Sequence, residues 1–545
     1  MKALTETGLD LPWWRGAVGY EIYLRSFNDA NGDGFGDLAG IIERLDYLEW
    51  LGVDVIWVTP HYPTPDHDHG YDVADYLAVD PRVGDLATFD QLIAEAHVRG
   101  LKVFTDIVPN HTSSDHQWFQ AALSDPTGPY RDYYIWRHPK ADGSPPNNWV
   151  SHFGGPAWTL DPKSGQYYCH LFLSEQPDLN WENDAVRAEF EEILRFWFKR
   201  GVDGFRIDVA HGLRKEPSFA DNPSRRQILP TDGPTSAFGT FIHQYDLGQV
   251  STVEIYRHWS AIANEYGGVL LGELGVWDAE QFAVFVADGT ALDVCFALEP
   301  GLTPWVLDRQ LGVILGMSQH AGGGVAWEVS NHDQHRAVTR FGGGDLGLRR
   351  TLALSTMFVG LDGMFFAYQG EELGLEDGRV VPGGLEDPIS VRNPEAPDEG
   401  RDGSRTAMPW TDAPGNGFTI APTAWIDAAD RAPAETVSIQ RAEPSSHLYH
   451  YRALVGLRKR YPQLWQDPLI AVDHERFDPD SHVVTIRREN SMVVANLGTL
   501  PVAAPAGEWR VAYQSWPLHA PTGGASPSVV PAETTIVLVR ELADG

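Results

Sequence analysis

Apolar positions in the first part of the chain switch repeatedly between two spacings. Val18–Phe27 (VGYEIYLRSF) reads as a first strand. From Leu38 to Leu51 the apolar residues Ile41, Ile42, Leu45, Leu48 and Leu51 fall at helical spacing. A compact apolar run over Val53–Thr59, closed by Pro60, predicts a buried strand. A helix over Thr88–Arg99 and a strand over Lys102–Val108 follow. The alternation returns after residue 181, with a helix over Phe190–Arg200, a strand over Val202–Ile207, a helix over Val253–Tyr266 and a strand over Val269–Glu273. Leu292–Ala297, Ala326–Ser330 and Gly363–Tyr368 complete a set of eight strands. Strands alternating with helices in that number predict an α/β fold, a closed (β/α)8 TIM barrel whose working groups stand at the C-terminal strand ends.

The pattern also shows where the barrel is interrupted. The link after the third strand, residues 112–180, is far longer than a strand-to-helix connection needs and is rich in Trp, Tyr, Pro, Gly and Asn. It carries no sustained helical period and predicts an inserted domain. Residues 209–252 predict an irregular lid, and residues 376–440, rich in Pro, Gly, Asp and Ala, a long loop after the last barrel strand. From about residue 465 short alternating runs, Val483–Ile486, Met492–Asn496 and Thr535–Val539, predict a C-terminal antiparallel β-sandwich. The expected division is barrel over 1–111, inserted domain over 112–180, barrel again over 181–464 and β domain over 465–545.

Charge narrows the partners. A net charge of −34 over 545 residues repels the phosphates of nucleic acid and suits a neutral substrate. Cys169 and Cys295 are the two cysteines, too few for a disulfide framework. No apolar run has the length of a membrane span, and the N-terminal stretch MKALTETGLDLPWW lacks the apolar core of a signal peptide. The expectation is a cytoplasmic protein, monomer or homodimer, that touches neither membrane nor nucleic acid. Nineteen tryptophans and nineteen tyrosines suit large cores or sugar-stacking surfaces.

Three acids fall at predicted strand ends: Asp208 in GFRID, Glu273 in LLGE and Asp333 in SNHD. A closed barrel would gather them on one rim. Residues two apart on a strand share a side, so Arg206 would lie beside Asp208 and favour its ionised form. Carboxyls crowded together have their pKa values pushed apart, which makes a nucleophile and an acid from one chemistry. A cation among them is disfavoured because Arg206 would oppose it. A separate loop, Asp29-Ala-Asn31-Gly-Asp33-Gly-Phe35-Gly-Asp37, places oxygen ligands at alternate positions with glycine at the sixth. Gly40 stands at the twelfth place, so the loop is no EF-hand. The expectation is one structural Ca2+, with Mg2+ the alternative, on Asp29, Asn31, Asp33 and Asp37, with Phe35 counted in the set. The plainer reading is a turn held by its own side chains.

Six stretches, in order, resemble the α-amylase superfamily, glycoside hydrolase family 13: GVDVIWVTP (52–60), DIVPNH (106–111), QPDLN (176–180), GFRIDVA (204–210), GELG (272–275) and SNHD (330–333). QPDLN and GRDGSRTAMPW (400–410) resemble markers of its α-glucosidase and oligo-1,6-glucosidase branch, although Ala407 stands where relatives usually have proline. The resemblance implies a retaining mechanism with Asp208 as nucleophile, Glu273 as acid and base, and Asp333 as the group that holds the sugar hydroxyls. It implies that Arg206 serves Asp208 and that His111 and His332 bind hydroxyls. It further implies that Asp68 and Tyr71, in Asp68-His69-Gly70-Tyr71, close the pocket together with Arg401 or Arg405. Phe153 and Phe172 match aromatic walls, and simple packing is their plainer reading.

The activity so implied is exo-acting hydrolysis of terminal α-linked glucose from short α-glucosides, accompanied by transglucosylation. A glucosyltransferase or isomerase of the trehalose synthase or sucrose isomerase type shares the same acids. A non-catalytic binding subunit on this barrel would be expected to have lost them.

Overall fold

The computed structural model describes all residues except 1–10, 226–237, 276–277, 287–288, 299–302, 393–399, 478–479, 519–523 and 541–545. Most of the N-terminal stretch, and parts of the predicted lid and long loop, therefore lie outside the described residues.

Eight parallel strands close into a barrel: β1 (Val18–Ile22), β2 (Val55–Val58), β3 (Lys102–Ile107), β7 (Gly204–Ile207), β8 (Val269–Leu274), β9 (Val294–Ala297), β10 (Val325–Glu328) and β11 (Met364–Tyr368). Around the ring each pairs with its neighbours in that order, and β11 returns to β1 with Val18 opposite Phe365. The connecting helices end where their sequences say. Helix α1 (Leu38–Leu51) starts at Asp37, whose carboxylate accepts Gly40 N–H at 2.6 Å, and stops at Gly52 in the left-handed region, φ 96°. Helix α2 (Leu86–Val98) starts at Asp85, which accepts Thr88 N–H. Helix α4 (Asp184–Lys199) starts six residues before the predicted Phe190, because Asn183 caps it.

The barrel interior is layered. Its lower part is apolar, with Trp57, Phe104, Leu271, Phe296 and Phe366 packed together. Gly19 has no room for a side chain there, since a Cβ would stand 2.2 Å from the Phe366 ring. At the N-terminal rim a device repeats on alternate strands. Asp54, Asp203 and Asp293, each just before a strand, accept the N–H of Val18, Val103 and Leu270 on the strand preceding it, at 2.9, 2.9 and 2.8 Å. Above the apolar layer the interior turns polar, and this layer carries the site.

The first strand is shorter than predicted. Tyr23 N–H is drawn to Gln369 and Leu24 N–H to Thr59 Oγ1, so Leu24–Ser26 turns into a short 3-10 helix. The 112–180 segment holds a three-stranded sheet of β4 (Trp136–Arg137), β6 (Gln166–Cys169) and β5 (Trp158–Asp161). It also holds a helix the periodicity did not predict, α3 (Gln117–Ser124), started by the His116 ring accepting Trp118 N–H. The tail forms a five-stranded antiparallel sheet, β12 (Ala471–Glu475), β13 (Val483–Arg487), β14 (Ser491–Asn496), β18 (Thr534–Val539) and β16 (Arg510–Gln514), with a second, two-stranded sheet of β15 (Val502–Ala503) and β17 (Val529–Val530) beside it. Cys169 and Cys295 are buried and unbridged. Among the described residues no helix is long and apolar enough to cross a membrane.

Candidate active site

Alternation along β7 turns Arg206 into the barrel and leaves Asp208 on the same side, just past the strand end. The Arg206 guanidinium is buried and reaches three acids. Its Nη1 donates to Asp208 Oδ1 at 2.6 Å and Asp106 Oδ1 at 2.8 Å, and its Nη2 lies 2.8 Å from Glu273 Oε2. One positive charge among three carboxyls favours retention of a proton in the cluster. Burial pushes Asp208 well above the usual carboxylate range; Arg206 pulls it down, and Glu273, Asp106 and Asp333 push it up again. The arginine alone therefore does not set the charge on Asp208, as the sequence had suggested. Val209, next in the chain, sits at φ 44°, a conformation that costs a β-branched residue on the order of 1–3 kcal/mol. That turn aims its N–H at Glu273 Oε2, 2.9 Å away.

Asp333 lies in the loop after β10, five residues beyond Glu328. Its Oδ1 accepts from Arg401 and from Arg405, each at 2.8 Å, and its Oδ2 lies 3.3 Å from His332 Nε2. Burial works to raise this carboxyl, but His332, Arg401 and Arg405 outweigh it and hold it far below the usual range. Arg401 is the arginine that meets Asp68, at 3.2 Å, and it is anchored by Asp387 at 2.7 Å. Arg405 instead donates to the His332 carbonyl and to His69 Nδ1. Burial lifts Asp68 to about 6, against Arg401 and Arg405. Its second oxygen accepts from Gln176 Nε2 at 3.1 Å. Gln176 is also 3.1 Å from His111 Nε2, and burial drops His111 to about 4, leaving a neutral ring. Tyr71 stacks on His332 with the planes 4° apart.

These groups face a pocket of about 630 Å3 lined by Asp68, Tyr71, His111, Asp208, Glu273, Asp333 and Arg401, while Arg206, His332 and Arg405 sit behind that wall. Phe153 and Phe172 both line it: Phe172 stacks on His152 at 4.6 Å, and Arg401 lies over the Phe153 ring at 5.6 Å. Away from the acids the wall mixes apolar side chains, Val209, Phe238, Ile242, Leu247, Leu298 and Ile389, with polar ones that include Arg225, His243, Gln281 and Arg309.

The chain resembles known proteins along most of its length. The family described as alpha amylase, catalytic domain, matches residues 21–300 and 313–467. The chain belongs to the alpha-amylase family. It is 38% identical to a probable alpha-glucosidase of Rhizobium meliloti (strain 1021) over 84% of each chain. It is 38% identical to a trehalose-6-phosphate hydrolase of Bacillus subtilis (strain 168), over 92% of this chain and 93% of that one. The crystal structure of an alpha-glucosyl transfer enzyme, XgtA, superposes with a TM-score of 0.86 at 36% identity, covering 97% of this chain and 100% of that one.

Within this alpha-amylase barrel several groups at the site carry no mark in the sequence reading. In the sequence Asp106 is one residue of DIVPNH, yet it is the second acid on Arg206. Glu21, near the end of β1, shares a hydrogen bond with His332 Nδ1. Lys215 is buried, with Nζ 2.6 Å from the Gly212 carbonyl, 2.9 Å from Asp178 Oδ2 and 3.3 Å from Asn110 Oδ1. It ties the loop after Asp208 to the QPDLN stretch of the inserted domain. The available signal was a charged residue inside an apolar run, as in VGYEIYL for Glu21.

The Asp29–Asp37 loop lies in the β1-to-α1 connection, and its oxygens are engaged locally. Asp29 accepts from Gly32 and Gly34 N–H at 2.7 and 2.8 Å, Asp37 from Ala30 and Asn31 N–H, Asn31 from Asp33 N–H and Asp33 from Phe35 N–H. Among the described residues, no three His, Cys, Asp or Glu side chains converge to hold a metal.

Proposed function

We propose that the protein is a retaining, exo-acting α-glucosidase that releases glucose from the ends of short α-glucosides and also transfers it to alcohols. The observation that carries this reading is the sharing of one guanidinium by Asp208 and Glu273. Acids gripping adjacent nitrogens of one fork suit the short spacing of retaining enzymes, about 5–5.5 Å. Behind them Asp68, Arg401 and Asp333 close the pocket, which suits recognition of a chain end.

In this mechanism the proton that the crowded acids retain lies on Glu273 when the sugar reacts; the free oxygen of the ionised Asp208 attacks the anomeric carbon while Glu273 gives that proton to the departing glycosidic oxygen. A β-linked glucosyl ester on Asp208 results. Water or an alcohol then enters, losing a proton to Glu273, and its oxygen replaces the ester bond, so two inversions restore the α configuration. Asp333, held ionised by its two arginines, accepts hydrogen bonds from hydroxyls of the ring and stabilises the cation-like transition state.

Transfer is the second reading. The apolar side chains of Phe238, Ile242 and Leu247 in the pocket wall support it, as does the likeness to an alpha-glucosyl transfer enzyme. Incubation with maltose, isomaltose, sucrose, trehalose, trehalose 6-phosphate and p-nitrophenyl α-glucoside, with the first-formed anomer followed by NMR, tests both. α-Glucose and α-glucosyl products are expected. β-Glucose as the first product would overturn the mechanism.

We further infer a protein of the cytoplasm, a reading its two buried, unbridged cysteines suit, and one active as monomer or homodimer. The Asp29–Asp37 loop is proposed as a Ca2+ or Mg2+ site on the strength of its alternating oxygens; the missing convergence of three acids speaks against it. Removal of divalent cations by a chelator is expected to lower Tm by a few degrees, and an unchanged Tm would leave the loop as a self-bonded turn.

A further inference from the structure

Lysine is seldom fully buried, because its head group must find oxygens for its donors. Lys215, seven residues beyond Asp208, has a side chain only 2% exposed, and Asp178 beside it is closed to solvent. Lys215 Nζ finds one oxygen on each of three chain segments. It donates to the Gly212 carbonyl at 2.6 Å and to Asn110 Oδ1 at 3.3 Å. It also lies 2.9 Å from Asp178 Oδ2, an ion pair too poorly aligned to be a hydrogen bond.

Each of these segments continues into the wall of the sugar pocket. Gly212 closes the turn that begins at Val209, its N–H donating to the Val209 carbonyl at 2.8 Å, and Val209 N–H in turn donates to Glu273 Oε2. Asn110 is followed by His111, whose Nδ1 lies 3.1 Å from Asn110 Nδ2. Asp178 Oδ1 accepts Leu171 N–H at 3.1 Å, and Phe172 comes next in the chain. Val209, His111 and Phe172 line the pocket, whereas Lys215 sits behind them.

The same contacts fix which way the Asn110 amide faces. Lys215 offers donors, so the amide atom turned to it is the oxygen, and the amide nitrogen is left to donate to Asp178 Oδ1 at 3.2 Å. A flipped amide would set donor against donor at Lys215 and acceptor against acceptor at Asp178. The segments approach closely: a Cβ on Gly212 would stand 2.8 Å from Asn110 Oδ1 and from Val209 Cγ1. A main-chain bond from Leu179 N–H to the Asn110 carbonyl, at 2.9 Å, joins two of the segments, and Lys215 adds the third.

We propose that Lys215 is a positioning residue that seats the turn after Asp208 against His111 and Phe172, and so sets the fit of the glucose ring between them. It acts through Val209, His111 and Phe172 rather than on the substrate. This deepens the α-glucosidase reading and rests on it for the sugar. A misplacement of about 1 Å, transmitted from a residue away from the chemistry, can cost about 100-fold.

The test is the paired variant Lys215→Met with Asp178→Asn, which removes both members of the ion pair so that neither is left buried alone. Its Tm is expected to stay close to that of the parent. Its kcat/KM on p-nitrophenyl α-glucoside is expected to fall about 10–100-fold, chiefly through KM. Lys215→Arg keeps the charge but cannot bring one nitrogen to three oxygens; it is expected to fold and to recover only part of the loss. Because Lys215 acts through His111, adding His111→Ala to the paired variant should cost far less than His111→Ala costs alone. In hydrogen exchange read by mass spectrometry, peptides covering 109–112, 171–179 and 209–215 should open faster than in the parent, with the rest of the chain unchanged. Activity within about twofold of the parent in either variant at equal Tm, additive losses with His111→Ala, or unchanged exchange in those peptides overturns the proposal. Exchange reads the seating without substrate, so it separates this failure from failure of the assigned activity.

Discussion

At the lower rim of the barrel Asp54, Asp203 and Asp293 each precede one strand and accept one main-chain N–H from the strand before it. At the upper rim Asp208, Glu273 and Asp333 converge on one pocket and are held by arginines rather than by the strands. The residue types are alike and the barrel is common to both, yet the partners differ. An acid bonded to its own fold stabilises that fold. Acids crowded onto shared arginines instead exchange protons readily and repel one another, a condition that catalysis can use. The lower rim spaces its acids on alternate strands, whereas the upper rim crowds them.

The sharpest way to break this contrast is to neutralise one acid at each rim. Asp208→Asn is expected to lower kcat by roughly four to six orders of magnitude, since nothing else can form the ester. Its Tm should hold or rise, because a crowded buried charge has been removed. Asp203→Ala should do the reverse. It strands the Val103 N–H and unpairs Lys102 and His97, costing on the order of 1–3 kcal/mol in a denaturant titration. Its kcat/KM per folded molecule should stay within about twofold. A large activity loss in Asp203→Ala with unchanged stability would erase the distinction.

Asp293 sharpens the comparison with a smaller effect. Burial raises its pKa to about 6, above the value near 4 of an unfolded chain. The folded state therefore binds the proton more tightly, and this stability is present below about pH 4 and lost as pH rises through 6. Asp293→Asn keeps an oxygen for the Leu270 N–H and removes the buried charge. It should melt higher than the parent at pH 8, by at most about 3 kcal/mol, with the gain gone at pH 4. An Asn variant less stable at pH 8 would show that the lower-rim charge itself is needed.

The sequence disclosed these two rims unequally. Helices α1 and α5 (Val253–Tyr266) end where predicted, because Gly52 and Gly267 adopt left-handed conformations that stop them. The eight strands were legible because each is a compact apolar run between turns. Arg206 beside Asp208 followed from strand alternation alone. What alternation could not disclose was a partner on a distant strand. Glu21 and Glu328 are single acids inside apolar runs, and only the closed ring sets Glu21 against His332 and the loop after β10 turns Asn331 onto Glu328. The choice between Arg401 and Arg405 for Asp68 was likewise closed to the sequence, since the two lie four residues apart and both also bond Asp333. Helix α3 escaped because it is short and its cap is a histidine ring.

The central claim is that Asp208 and Glu273 work on one sugar from one guanidinium. Its most direct test is mass spectrometry of Glu273→Gln mixed with p-nitrophenyl α-glucoside, whose good leaving group needs no acid. A glucosyl unit should accumulate on the peptide that carries Asp208, because the water that would release it has lost its base. An unmodified peptide despite nitrophenol release, or a glucosyl unit on another residue, would contradict the account.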